Sequence, residues 1–164
     1  MTDSIIHPFE PIFDADSRIL ILGTMPSPKS RENRFYYGHP QNRFWKILAD
    51  IFDEPVLLSS AEKTAFLHRH HIALWDVLAS CEIKGADDSS IRKAVPNDLS
   101  LIFSRCSIHG VFTNGQKASA LYRKYFGSDC SVPHISLPST SPANCRSWTT
   151  GSLTEAYRVI LDYL

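Results

Sequence analysis

The chain carries no net charge, has no long apolar run and begins without a recognisable leader. Its 17 Lys and Arg residues balance 17 Asp and Glu residues, so any binding of nucleic acid must come from a local patch rather than from the overall field. No apolar stretch approaches the ~20 residues that a membrane helix needs. The first residues include Asp3 and no basic segment ahead of an apolar run, which does not match a signal peptide. We therefore expect a cytoplasmic protein that makes no membrane contact.

Cysteine is scarce, and histidine is the one metal-ligating residue type that clusters. The four cysteines, at positions 81, 106, 130 and 145, include no CxxC pair, so neither a zinc site nor a thioredoxin-like motif is expected. Free thiols in a reducing cytoplasm are expected instead. His68, His70 and His71 stand at the end of a helical stretch with no Asp or Glu beside them, where positive side chains suit the helix dipole. We therefore expect no metal and no cofactor.

Three motifs of common enzyme classes are also missing. There is no GxSxG elbow of an α/β-hydrolase, and no GxGxxG follows a predicted strand, which disfavours a dinucleotide site. Residues 110–117 come near the P-loop pattern, but Gln116 interrupts it and no Ser or Thr follows Lys117. A phosphate-cradling loop of that type is therefore not expected.

The 164 residues are 43% apolar, which suits one compact domain spanning residues 1–164. Short apolar runs predict four buried strands, and the stretches between them predict helices. The runs are residues 18–23, 72–77, 108–113 and 132–137. Because strands that alternate with helices form parallel sheets covered on both faces, the pattern predicts an α/β fold.

Two polar segments are predicted to be loops, and two Asn residues are predicted to cap helices. Residues 24–41 and 80–96 are polar and lack a clear apolar period, which is typical of surface loops. Asn42 and Asn97 each precede a helical stretch, in the position where Asn commonly accepts a hydrogen bond from the first turn.

Ligands of such α/β domains bind beyond the carboxyl ends of the strands. The first loop there holds five Lys or Arg from Lys29 to Lys46 against one acid, Glu32, and it contains the consecutive aromatics Phe35, Tyr36 and Tyr37. Basic residues interleaved with aromatics suit phosphate contact and base stacking. The alternative is an aromatic triplet packed into the core with a solvated charged fringe.

Two further loops leave strand ends with polar side chains. Asn114, in the Thr113-Asn114-Gly115 loop, offers an amide that can pair with a carbonyl and an adjacent ring N–H of a nucleobase. Alone, it reads equally as an Asn-Gly turn. Residues 137–144 (LPSTSPAN) offer hydroxyls and backbone amides that could grip phosphates, or form an ordinary polar turn.

Together these segments resemble the uracil-DNA glycosylase superfamily, and within it most closely the hypoxanthine-DNA (deoxyinosine) glycosylase branch. The matching segments are residues 20–27 (LILGTMPS), 36–45 (YYGHPQNRFW), 73–77 (ALWDV) and 137–144 (LPSTSPAN). The second is also similar to mismatch-specific uracil glycosylases. The resemblance implies a three-layer α/β/α sandwich with a central four-stranded parallel sheet. It also implies an enzyme that flips a damaged base out of DNA and cleaves its N-glycosidic bond, which is inaccessible inside the duplex.

Two positions depart from the usual superfamily pattern. Met25 stands where the first motif usually has Asp or Asn to position water, and Leu137 stands where the second motif usually has His. Both departures disfavour ordinary uracil excision, and the first is shared with the hypoxanthine branch. In that branch the resemblance implies that Asn114 is the main catalytic and base-contacting group, with Asn42 as a second polar contributor.

The expected base pocket and DNA contacts follow from the resemblance and the loop chemistry. The base pocket is expected to comprise Gly23, Thr24, Met25, Pro26, Tyr36 and Tyr37. The DNA contacts are expected to comprise Ser27, Lys29, Arg31, Arg34, Ser139, Thr140, Ser141, Asn144 and Arg146. Asn114 would hydrogen-bond O6 and N1–H of the leaving base. Asn42 could orient water or only cap a helix, and Asp76 could be a carboxylate near the site or a cap.

The predicted function is monofunctional hydrolysis of deoxyinosine in DNA, giving free hypoxanthine and an abasic site. The expected partner is DNA containing a deaminated base, and the expected state is a monomer. The alternatives are a mismatch-specific uracil or thymine glycosylase, a non-catalytic nucleic-acid-binding relative, which Met25 and Leu137 motivate, and a nucleotide-binding domain of flavodoxin type, which the neutral charge suits.

Overall fold

The computed structural model describes residues 2–128 and 131–164. The strands are β1 (Asp3–Ile6), β2 (Ile19–Gly23), β3 (Ile72–Asp76), β4 (Leu78–Lys84), β5 (Asp87–Pro96), β6 (Gly110–Asn114) and β7 (His134–Leu137). The helices are α1 (Pro28–Asn33), α2 (Phe44–Ile51), α3 (Ser60–Arg69), α4 (Ser100–Phe103), α5 (Gln116–Phe126) and α6 (Thr150–Tyr157). Short 3₁₀ helices, Pro142–Asn144 and Arg158–Tyr163, lie on either side of α6.

A four-stranded parallel sheet with the order β3-β2-β6-β7 forms the centre of the fold. Every residue of β2, β3 and β6 is buried, as strands of a parallel sheet must be when helices cover both faces. The predicted α/β fold with a four-stranded parallel sheet flanked by helices is confirmed. The register places Gly23 opposite Asp76 and Asn114 opposite Leu137, so the carboxyl ends of the strands meet at one edge.

Local sequence explains how the covering helices begin and pack. Phe44, Ile47 and Leu48 of α2 recur at intervals of three and four residues and are all buried, which forms a single apolar face. α3 begins where the Ser59 hydroxyl accepts a hydrogen bond from the backbone N–H of Glu62 at 3.1 Å. That bond satisfies one of the free donors of the first turn.

The prediction that residues 80–96 form a surface loop is wrong. β4 and β5 are antiparallel strands, and β1 pairs with the other edge of β4 to make a second, three-stranded sheet. Gly85 lies in the turn between them at φ +58°, a conformation that glycine adopts without strain. Cys81 and Ile83 are buried, but β5 is polar and largely exposed. Its pairing therefore depends on neighbouring strands rather than on its own composition.

The predicted loop at residues 24–41 contains the short helix α1. The Ser27 hydroxyl accepts a hydrogen bond from the backbone N–H of Ser30 at 3.2 Å, and Pro28 occupies the first turn, where its fixed φ fits a helix. The helix ends at Arg34, which has φ +57°. A cap, a proline and a polar helix of six residues carry too little apolar period to be distinguished from a loop.

Asn97 does not cap a helix as predicted. α4 begins two residues beyond Asp98, whose carboxylate accepts a hydrogen bond from Ser100 N at 3.0 Å. The Asn97 amide instead donates to the backbone oxygens of Asp76 at 2.9 Å and Leu78 at 3.1 Å. It therefore fixes the chain where β3 passes into β4.

None of the helices in the described part of the chain is long and apolar enough to cross a bilayer.

Across residues 2–128 and 131–164, no group of three or more His, Cys, Asp or Glu side chains is placed to hold a metal ion. Folding does bring carboxylates to the histidine cluster: Asp14 lies 3.1 Å from His68, and Glu54 pairs with His70. The free thiols are Cys81, Cys106 and Cys145, and Cys130 lies outside the described residues.

Tyr157 of α6 tests how the last helix supports the loop after β7. Its side chain is fully buried, and its hydroxyl donates to the backbone oxygen of Pro138 at 2.7 Å. We expect Tyr157→Phe to lower the free energy of unfolding by about 0.5–1.5 kcal/mol, because the half-buried carbonyl loses this hydrogen bond. Urea unfolding measures this change. Tyr125→Phe, which removes a longer 3.2 Å bond from a half-buried hydroxyl, should cost less, and equal midpoints for the two variants would contradict the expectation.

Candidate active site

A cavity of about 320 Å³ opens at the carboxyl ends of β3, β2 and β6. Its volume lies at the lower end of the ~300–1,000 Å³ range of ligand pockets. All six predicted base-pocket residues line it: Gly23, Thr24, Met25, Pro26, Tyr36 and Tyr37. The predicted residues Ser27, Asn42, Asn114, Ser139, Thr140 and Ser141 also line it. The structure therefore brings three segments that are distant in the sequence to a single concave surface.

Gly23 forms the floor of the cavity at the end of the central strand β2. A Cβ at this position would lie 2.5 Å from Oδ1 of Asp76 and 2.8 Å from the hydroxyl of Tyr37. Only a residue without a side chain leaves room for both oxygens. The glycine is thus needed for close approach rather than for an unusual backbone angle.

Asn114 is buried at the end of β6, and Thr140 fixes its amide. Its Oδ1 accepts a hydrogen bond from the backbone N–H of Thr140 at 3.0 Å, and its Nδ2 donates to the Thr140 hydroxyl at 3.0 Å. The backbone donor determines which end of the amide is oxygen. One N–H of Nδ2 is not used by these bonds, so the side chain can donate a hydrogen bond to a ligand from a fixed position.

Asn42 completes this hydrogen-bonded chain. Its Oδ1 accepts hydrogen bonds from the Thr140 hydroxyl at 2.8 Å and from the backbone N–H of Phe44 at 2.9 Å. An amide oxygen has two lone pairs, so both are already engaged. Asn42 therefore cannot accept a proton or a hydrogen bond from a nucleophilic water through this atom. The predicted N-cap is one residue too early, because the N-cap of α2 is Arg43. Asn42 precedes it, bonds the first N–H of the helix and positions Thr140.

Tyr37 presents a buried hydroxyl to the cavity. Its ring stacks on Phe44 with centroids 4.0 Å apart, and its backbone adopts φ +52°. Within the described residues no group makes a well-formed hydrogen bond with the hydroxyl, but the Asn114 amide lies near enough to interact with it. Burial raises the pKa of Tyr37 well above its ordinary value, the charge of Asp76 adds to the shift, and the neighbouring Asn114 amide opposes it. At neutral pH the group is thus a phenol that can donate a hydrogen bond to a ligand.

The other two aromatics of the predicted stacking triplet serve mainly in packing. Phe35 stacks on Trp45 with centroids 5.7 Å apart and does not line the cavity. Tyr36 is 3% exposed and donates its hydroxyl to the backbone oxygen of Glu10 at 2.7 Å. Phe35 and most of the Tyr36 side chain therefore pack into the core, as the alternative interpretation holds. Of the three aromatics, Tyr37 is the one whose hydroxyl lies in the site.

Asp76 places a carboxylate on the cavity wall, and His7 holds it. Asp76 is 4% exposed, and its Oδ2 lies 2.7 Å from Nε2 of His7. The carboxylate is thus part of the cavity lining and does not cap a helix. One sequence feature points to it, namely an acid at the end of a buried strand. His7 follows the short strand β1 and has no comparable signal.

The remaining predicted DNA contacts lie outside the cavity lining. Lys29 pairs with Glu32 at 3.3 Å on the exposed face of α1, and Arg34 and Arg146 are exposed. Asn144 donates its amide to the backbone oxygen of Ser139 at 2.9 Å, so it shapes the turn beside the cavity. Arg31 is also outside the lining.

The turn between β4 and β5 contributes lining residues that the sequence did not indicate. Gly85, Ala86 and Asp88 lie at the mouth of the cavity, as does His39 from the segment before α2. The segment carrying the first three was predicted to be a loop, and its role in the site depends on the hairpin that holds it in place.

The cavity lies at the carboxyl edge of a parallel sheet, where α/β domains bind their ligands, and a fixed amide, a buried carboxylate and a Ser/Thr turn surround it. The sequence model of the Uracil DNA glycosylase superfamily matches residues 10–164. The chain belongs to this superfamily, and it is a DNA glycosylase.

Individual relatives agree with this membership. The chain is 33% identical over 112 residues to a hypoxanthine DNA glycosylase of Methanosarcina barkeri, covering 67% of this chain and 71% of the relative. It is 32% identical over 142 residues to a hypoxanthine DNA glycosylase of Methanosarcina acetivorans, covering 84% and 87%. A solution NMR structure from Methanosarcina acetivorans, described as a candidate uracil DNA glycosylase, gives a TM-score of 0.81 at 28% identity over 98% of this chain and 99% of its own.

Thr140→Val tests the hydrogen-bonded chain. The variant keeps the size and the backbone N–H of Thr140 but removes the hydroxyl that joins Asn114 to Asn42. We expect base excision from deoxyinosine or deoxyuridine duplexes to slow by about 10²-fold, since small displacements of a positioned group cost that much. Single-turnover kinetics measure this rate. Thr154→Val, which removes a hydroxyl bonded only within α6, is the control and should keep the wild-type rate. A Thr140→Val rate equal to the control would show that the chain does not position the amide.

Gly23→Ala tests the floor of the cavity. The added methyl group would displace the Asp76 carboxylate or the Tyr37 hydroxyl, so we expect excision to fall by about 10²-fold. Gly151→Ala adds a methyl group in α6 with its nearest atom at 3.9 Å and should leave the rate unchanged. Full activity of Gly23→Ala in the same assay would mean that neither oxygen needs its observed position.

Proposed function

We propose that this DNA glycosylase hydrolyses the N-glycosidic bond of deoxyinosine in DNA and releases hypoxanthine. Two relatives that are 32–33% identical carry the name hypoxanthine DNA glycosylase, which supports the proposal at the level of the family. The observation that carries it in this chain is the fixed Asn114 amide. Thr140 occupies its oxygen and one N–H, which leaves a donor for an exocyclic oxygen such as O6.

That donor acts where charge develops. As the bond between C1′ and N9 breaks, its electron pair stays on the base, and much of the negative charge moves to O6. A hydrogen bond from Asn114 to O6 therefore strengthens in the transition state and lowers the barrier. The sugar becomes cationic, and the DNA phosphates beside it offset that charge. Water then adds to C1′, and the proton that it releases ends on the departing base, which leaves as neutral hypoxanthine.

The lining around Met25 fits this late attack by water. Met25 is partly buried on the cavity wall and can neither accept nor donate a proton. Both lone pairs of the Asn42 oxygen are engaged. A dissociative reaction demands little from a general base, so stabilising the leaving base is the main task of these residues. This requirement favours a base with an exocyclic oxygen beside the amide.

The surface around the cavity suits an extruded nucleotide. Ser139 and Ser141 line the cavity, and their hydroxyls could donate to the flanking phosphates. Thr140 is buried and its N–H and hydroxyl are engaged with Asn114 and Asn42, so the predicted DNA contact of Thr140 is not available.

Lys29, Arg34 and Arg146 are exposed outside the cavity lining and could anchor more distant phosphates. Arg31 is half-buried, and its Nε is shielded from solvent. Binding would then weaken as salt rises.

A duplex with a single deoxyinosine tests the proposal directly. Alkali treatment after incubation should cut the strand at the lesion, and uracil, xanthine and undamaged duplexes run beside it. We expect Asn114→Ala to slow hypoxanthine release by roughly 10²–10³-fold. Gln116→Ala removes an exposed amide two residues further on and should change the rate far less.

The other outcomes assign the protein differently. Strong uracil release without hypoxanthine release would place the protein in another branch of the superfamily. Tight binding to the lesion without release of any base would favour the non-catalytic relative. A fully active Asn114→Ala variant would remove this amide from the mechanism.

A further inference from the structure

The Asp76 carboxylate is a polar group of the cavity that the proposed mechanism does not use. Its side chain is 5% exposed, and its two oxygens face different partners. Oδ2 meets His7, whereas Oδ1 lies against the floor of the cavity at Gly23. A carboxylate buried this deeply needs hydrogen-bond donors around it. Oδ1 is the oxygen that a ligand on the cavity floor would reach.

Neighbouring contacts hold this carboxylate in place. His7 Nε2 lies 2.7 Å from Oδ2, and the other ring nitrogen lies 3.2 Å from Phe9 N and 3.0 Å from Phe9 O. The ring therefore has partners on both nitrogens, and Nε2–H donates to the carboxylate. Asn97 holds the backbone oxygen of Asp76 at 2.9 Å. Asp76 is thus oriented from the side-chain end and from the main chain.

The cavity consequently offers an acceptor and donors on opposite sides of Gly23. Asp76 accepts only, whereas the free N–H of Asn114 and the Tyr37 hydroxyl donate. Hypoxanthine carries a carbonyl, O6, next to a ring N–H at N1. Adenine reverses that edge, because it has an amino group at position 6 and a lone pair at N1. An adenine in this cavity would place its amino group against the N–H donor of Asn114. Its N1 lone pair would face the Asp76 carboxylate, which is also an acceptor.

We propose that Asp76, held by His7, accepts a hydrogen bond from the ring N–H of the extruded base, so that the site takes bases with a carbonyl beside a ring N–H and rejects adenine. This role rests on the proposed function and deepens it. Asp76 is then a specificity-determining residue, and His7 is a positioning residue that acts through it. The pattern does not separate hypoxanthine from guanine, which presents the same edge and differs at C2.

The test compares hypoxanthine with 1-methylhypoxanthine, which keeps O6 and loses the ring N–H. Wild-type protein should release hypoxanthine faster than its 1-methyl analogue from otherwise identical duplexes in single-turnover assays, and it should leave adenine in place. In Asp76→Ala we expect the hypoxanthine rate to fall by about 10- to 100-fold, the value of a hydrogen bond to a charged group. The 1-methyl rate should hold or rise, because the methyl group gains space. The ratio of the two rates should therefore fall at least tenfold.

Asp162→Ala is the matched control, since this carboxylate is exposed and does not line the cavity. It should keep the wild-type ratio. If Asp76→Ala slows both substrates by one common factor, the carboxylate acts on water or on the fold, and the inference is wrong. A wild-type protein that releases no hypoxanthine overturns the proposed function and this inference together. Hypoxanthine release with an unchanged ratio overturns the inference alone.

His7 provides a second variant series in case Asp76→Ala does not fold. His7→Phe keeps a ring against Phe9 and Tyr36, which His7 contacts at 5.8 Å and 5.9 Å between centroids, but it removes the donor to Asp76. We expect the ratio to fall toward that of Asp76→Ala, while His7→Gln, which restores an N–H donor, recovers part of it. Thermal unfolding by circular dichroism checks that each variant is folded. Equal ratios in His7→Phe and His7→Gln would contradict the positioning role.

Discussion

The site depends on one residue, Thr140, whose backbone and hydroxyl connect three segments that are far apart in the sequence. Its N–H and hydroxyl hold both ends of the Asn114 amide, its hydroxyl also reaches Asn42, and its backbone oxygen accepts from Arg43 N at 3.2 Å. Thr140 is fully buried, so each of these bonds is made away from water and leaving one unmade would be costly. The end of β6, the start of α2 and the turn after β7 therefore cannot shift independently. A rigid amide follows from this constraint, and a rigid donor stabilises developing charge without first having to reorganise.

The parallel sheet was predictable because its strands are continuous apolar runs separated by helices, and burial on both faces demands that composition. The second sheet was not predictable, because β5 is polar and exposed and its partner β4 is paired on the other side by β1, more than seventy residues earlier in the chain. Strand pairing between distant segments leaves little trace in local sequence. Helix α1 was missed for a related reason: it has six residues, begins at a Ser27 cap and a proline, and shows no apolar period.

The candidate site could be predicted in part. Residues at the ends of the parallel strands could be predicted, whereas residues placed by the pairing of distant strands could not. Asn114 and the turn at 139–141 sit at strand ends, where the topology of a parallel sheet gathers ligand-binding groups, and they line the cavity as expected. His7 could not be found this way, because its position is set by the pairing of β1 with β4. The role of Asp76 in turn depends on His7. Of the three aromatics, only the fold distinguishes Tyr37, whose left-handed backbone turns its hydroxyl to Gly23 while Phe35 packs on Trp45.

The chemistry of the cavity is consistent with the loss of polar residues at Met25 and Leu137. A glycosylase can lower its barrier by activating water or by stabilising the departing base. In the superfamily pattern the residue at the position of Met25 serves the first task and the His at the position of Leu137 serves the second, and this chain has an apolar side chain at both. The polar groups that remain are concentrated at the cavity floor and wall, where Asn114, Tyr37 and Asp76 surround Gly23. Groups placed there address the edge of the base rather than the sugar carbon. Recognition and rate enhancement would then arise from the same contacts, because a hydrogen bond that identifies the base also holds the charge that the base acquires as it leaves.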